Sequence, residues 1–76
     1  MIRRIAAAVR EAATHNQKIA MFHLQVLLNA NELRDYDAVG FCAEIGAPAS
    51  YATEFRKMLA LRNLMAEQGV TLNQVR

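Results

Sequence analysis

Residues 41–55 read FCAEIGAPASYATEF, and the order glycine, then proline, between two apolar patterns sets how the chain is built. The spacing predicts a short helix over Ala38–Ile45 that ends at Gly46, because glycine takes the left-handed conformation of a helix terminus without steric penalty. Pro48 then suits the first turn of a following helix, where its missing N–H has no partner to lose. The start of the short helix is equally marked. Asp37 can accept from its first N–H groups, while Tyr36 just before it and Phe41 four residues after it have the spacing of a hydrophobic staple. The expected inner face is Val39, Cys42 and Ile45. Gly40 costs about 1 kcal/mol there relative to alanine, which either close packing or simple tolerance accounts for.

Downstream, Ala52, Phe55, Met58, Leu59 and Arg62 follow in helical succession, so a helix is expected from Pro48 to at least Arg62. Its far end has two readings. Asn63 stops it and Leu64–Val75 forms a small β-hairpin turning at Gly69, or the helix continues to Gly69. Leu61, Leu64, Met65 and Ala66 keep a helical period and have high helix propensity, which favours continuation. Upstream, Gln17–Ala30 carries Ile19, Phe22, Val26 and Leu27 on one face and Ala20, Leu24 and Leu28 on the next, an apolar arc wide enough for a central helix. Asn29, Asn31, Arg34 and Asp35 interrupt that pattern, and a loop is expected up to Asp37. A first helix over Ile2–Thr14 has a narrow stripe of Ile2, Ile5, Val9 and Ala12 or Ala13, fit to lie on a core or on its counterpart in a second subunit as a dimer arm. His15-Asn16 is the break, with Asn16 expected to cap the second helix.

The fold class is therefore all-α: a small four-helix domain over residues 1–76, with a core at 16–69, a tail at 70–76 and a C-terminal β-hairpin as the alternative ending. A chain of 76 residues hides only about 60% of the surface it exposes when unfolded. Hydrophobic residues make up 54% of it, more than one small core conceals, which points to self-association. One cysteine permits no internal disulfide, so a reducing compartment is expected. No stretch approaches the roughly 20 apolar residues of a membrane span, and the alanine-rich segment after Arg3 and Arg4 lacks the greasy run of a signal peptide. A cytoplasmic protein is the expectation. Nine basic and seven acidic residues leave a net charge of +2, which permits a polyanionic partner without demanding one.

The unit helix, left-handed glycine, short turn, helix resembles the helix-turn-helix of DNA-binding regulators, and especially winged-helix repressors. The residues that carry the resemblance are Phe41, Cys42, Ile45, Gly46, Ala47, Ala52 and Phe55, within a match from about Ile19 to Met65. Cys42 is small where the two helices cross; Ala52 and Phe55 pack back onto the pair. Ala47 and Pro48 stand where such families often carry an apolar residue and a serine or threonine cap, so the second helix is expected to start without that cap.

The resemblance implies a recognition helix presenting Ser50, Tyr51, Thr53, Glu54 and Lys57 outward, with Arg56 toward one edge. Ser50 and Thr53 suit phosphates or base edges, Tyr51 a phosphate or a thymine methyl, and Arg56 and Lys57 phosphates, whereas Glu54 would repel the backbone unless it accepts from the amino group of a cytosine. Arg3 and Arg4, with Arg10 and Lys18, form a second basic set for flanking phosphates. The implied function is a DNA-binding transcriptional regulator on double-stranded DNA, acting as a homodimer because two-fold symmetry doubles the contacts. The second reading is a helical protein-interaction module that keeps this shape without touching DNA, with the surplus apolar residues as its working surface.

Enzymatic chemistry is not expected, since no phosphate-cradling glycine loop or paired carboxylates are present. His15 and His23 stand at neither i, i+4 spacing nor beside Cys42, so neither a metal nor a cofactor is expected. His23 reads as a partly buried polar residue at the rim of the second helix, and Cys42 as a structural thiol.

Overall fold

Each helix forms where an apolar stripe meets an end signal. In the computed structural model, which describes residues 1–72, α1 (Ile2–Ala13) buries Ile5, Val9 and Ala12. It ends in a turn where the Asn16 N–H donates to Ala13 O and the Gln17 N–H to Ala12 O. Asn16 has φ +60°, so it closes α1 in the left-handed conformation instead of capping α2 with its side chain. Asparagine tolerates that conformation better than most residues, which is why it can replace glycine here.

α2 (Lys18–Leu28) is the central helix, with Phe22 and Val26 fully buried. Its apolar arc is wider than its covered face: Ile19 is 39% and Leu24 42% exposed. A single turn of helix, α3 (Ala30–Leu33), stands inside the stretch expected to be a loop. The buried Ala30 and Leu33 side chains hold it down, while Asn31 and Glu32 between them face water and hide the period in so short a turn. Beyond it Arg34 donates to Asn63 Oδ1 on the last helix.

α4 (Ala38–Ile45) starts as its sequence signals require. Asp37 Oδ2 accepts from the Gly40 N–H at 2.8 Å, and the Tyr36 and Phe41 rings meet edge-on at 6.2 Å. A Cβ at residue 40 would stand 3.2 Å from that carboxylate oxygen, so close approach of the cap accounts for Gly40. The buried face is Ala38, Phe41, Cys42 and Ile45; Val39, expected inside, is 49% exposed, because Phe41 takes the core side of the turn. Gly46 has φ +75°, and the Ala47 N–H donates to Cys42 O at 2.8 Å to close the helix.

α5 (Tyr51–Glu67) begins three residues later than Pro48. The N–H groups of Tyr51 and Ala52 donate to Pro48 O and Ala49 O, so residues 48–50 form a tight turn that leads into the helix. It then runs without a break past Asn63. Residues 64–67 are helical and Gly69 (φ +74°) ends the helix, so the alternative hairpin does not form among the described residues, which contain no strand. Residues 73–76, the end of the expected tail, lie outside the described residues. The architecture is all-α with five helices where four were expected.

Phe22, Phe41 and Phe55 join α2, α4 and α5 in one aromatic stack, with ring centroids 6.0 Å and 4.9 Å apart in turn. Tyr51 extends it, edge-on to Phe22 at 4.9 Å. Such pairs contribute about 0.5–1.5 kcal/mol each beyond their buried area, and here they fix the angle at which α5 leaves the turn.

Candidate nucleic-acid interface

The Gly46 turn and the first turns of α5 form the surface in question. Ala52 and Phe55 are the buried anchors, and a period of 3.6 residues turns the positions between them away from the core. Ser50, Thr53, Arg56 and Lys57 are accordingly exposed. Ser50 occupies the position before the helix without a side-chain cap bond, in line with the missing family cap, so its hydroxyl is not consumed by the backbone.

Tyr51 and Glu54 depart from the outward display expected of them; both are half-buried and turned toward α2. Tyr51 lies on Phe22, and the Lys18 ammonium sits 5.8 Å from its ring centroid. Glu54 Oε1 accepts from His23 Nε2–H at 2.8 Å, and Oε2 accepts from Lys57 Nζ at 3.4 Å. The hydrogen bond from His23, foremost, and the Lys57 ammonium hold the Glu54 carboxyl below its ordinary value of 4.5. That side chain is therefore engaged as an anion within the fold. Nothing in the sequence joined His23 to Glu54, since the pair spans 31 positions and needs α2 and α5 to be packed side by side.

The second basic set is divided. Arg10 and Lys18 line a hollow of about 200 Å³ beside Gly46, with Val9, Ala13 and Ile45. Arg4 lines another at the opposite end of the α1–α2 pair, with Gln25, Leu28 and Asn29, and Arg3 is exposed two positions from the start of the chain. Arg4 and Arg10 stand six residues apart along α1, and because α2 runs back antiparallel to it, Lys18 comes to lie beside Arg10 and away from Arg4. The cations next to the turn are Arg10 and Lys18, not the pair Arg3 and Arg4.

Cys42 is fully buried where α4 faces α5; burial raises its thiol pKa, and the nearby Arg56 guanidinium offsets this in part. No group of three or more metal-ligating side chains occurs among the described residues. No helix among them is long and apolar enough to cross a membrane.

No curated protein and no solved structure matches the chain. A family model described as "HTH-like domain" matches residues 1–68, which takes in α1 to α5 and every residue of the surface just described. The chain belongs to the HTH-like domain family.

Proposed function

We propose that this protein is a DNA-binding regulator that works by binding alone, with no catalytic step, and that α5 is its recognition helix. The observation that carries the reading is the display of Ser50, Thr53, Arg56 and Lys57 on the exposed side of a helix whose other side is locked by Ala52 and Phe55. A rigid helix with hydroxyls and cations outward can enter a major groove, hydroxyls to base edges or phosphates and cations to the backbone. Arg10 and Lys18 stand at the entry to that helix, positioned for the flanking phosphates.

The proposed active form is a homodimer. One copy offers few cations, and Leu24, Leu61 and Leu64, at 42%, 39% and 51% exposure, leave apolar surface for a second. Those same leucines favour the second reading, an interaction module without DNA contact. Selection of bound duplexes from a random pool, beside a mass measurement of the free protein, separates the two. A preferred site whose binding weakens with rising salt supports the regulator. No enrichment, with capture of one stoichiometric protein partner that survives nuclease, supports the module.

A further inference from the structure

We propose that His23 is a positioning residue for the DNA-facing side of α5: it draws the Glu54 carboxylate back against α2, so that a negative charge on the recognition helix does not meet the phosphate backbone. The inference rests on the DNA-binding reading.

The geometry gives the reason. Glu54 follows Ser50 by four residues and precedes Lys57 by three, so it sits one turn from each of two exposed groups proposed to meet DNA. A free glutamate there would lie among phosphate-seeking cations and repel the same phosphates. His23, on a different helix and half-buried, holds Oε1 at 2.8 Å. The contact fixes the side chain's rotamer toward α2, away from Thr53 and Arg56, which stand on its other side around the helix. The second oxygen then holds the Lys57 ammonium at 3.4 Å. His23 thus sets the positions of two α5 side chains without reaching the surface they serve. From sequence, Glu54 repels the backbone unless it meets a cytosine; the hydrogen bonds give it a third course, a tie to His23 and Lys57 within the fold.

The test uses the full chain and a duplex that the wild type selects from a random pool, titrated at low salt. His23→Ala frees Glu54, and the affinity should fall roughly two- to fivefold, the range for a charge at a solvent-screened surface, and the loss should shrink as salt rises. Glu54→Gln removes the charge and should bind at least as tightly as wild type. The double variant His23→Ala, Glu54→Gln should recover the lost affinity, since no freed charge remains. His23→Gln, whose amide N–H can still donate to the carboxylate, should keep most of the affinity and guards against a variant that fails to fold. If His23→Ala is without effect, or its loss persists in the double variant, His23 does not act through Glu54 and the inference is overturned. If the wild type enriches no duplex at all, the DNA-binding reading falls and takes this one with it.

Discussion

The two halves of α5 are one continuous helix, yet they meet the rest of the molecule in opposite ways. In the first, Ala52 and Phe55 are sealed into the aromatic stack while Thr53, Arg56 and Lys57 face water. In the second, the inward residues Met58, Leu59 and Met65 are only half-buried, and the outward side carries Leu61 and Leu64. A firmly held helix with a polar exterior is suited to a charged ligand. A loosely held one with an apolar exterior is suited to another protein surface. The contrast teaches that one element can serve two kinds of partner, provided its anchors lie at one end.

The largest expected effect comes from removing the anchor. Phe55→Ala should destabilise the fold by about 3–5 kcal/mol, against a total near 4–11 kcal/mol for a chain of this length. A thermal melt followed by circular dichroism reads it, and an unchanged melting temperature would deny that the first half is the fixed one. Gly46→Ala forces a Cβ into the left-handed region, although the space around it is open, so a loss of about 1–2 kcal/mol is expected from backbone strain alone. Asn16 makes the same kind of turn without glycine, so Asn16→Gly in the same assay should be stabilising or neutral.

If the proposed homodimer forms through this half, Leu64→Glu should weaken it about tenfold and leave the melting temperature of the monomer nearly unchanged. Analytical ultracentrifugation measures it, and an unaltered mass would show that the second half is not where copies meet. Lys57→Ala should lower the slope of log affinity against log salt by about 0.9, the loss of one phosphate contact, whereas Arg3→Ala and Arg4→Ala should have little effect. Equal slopes for all three would erase the distinction between the turn and the far end of α1.

The smallest effect is the pH dependence of Glu54. Its carboxyl titrates lower in the fold than in the unfolded chain, so its stabilisation is complete above the ordinary carboxylate range and is lost as pH falls through the lowered value. The difference in melting temperature between wild type and Glu54→Gln should therefore be greatest near neutrality and vanish in acid.

Local signals were legible in the sequence and distant ones were not. The Asp37 cap, the Tyr36–Phe41 staple and the left-handed Gly46 each follow from residues within a few positions, and all three are present. The continuous α5 followed from propensity and period together. Val39 was placed inside because its spacing to Cys42 is helical, but Phe41 fits that spacing with Ile45 as well and is the larger residue, so the core took it. The turn of α3 is held by Ala30 and Leu33 alone, and the His23–Glu54 contact depends on the register of two helices. The contact leaves no pattern in the order of residues, whereas α3 continues the helical spacing of Phe22 and Val26 through Ala30 and Leu33 and is masked by the polar residues between them. The division of the cations likewise depends on packing: Arg4 and Arg10 lie toward opposite ends of α1, and only the return of α2 brings Lys18 to Arg10.

Cys42, the chain's one cysteine, sits at zero exposure between the two helices of the motif. A thiol reagent can therefore reach it only in molecules that have opened the core around α4. The rate of its alkylation in native buffer serves as a built-in clock for that opening, and adding a ligand that grips α5 would slow the clock in proportion to its grip.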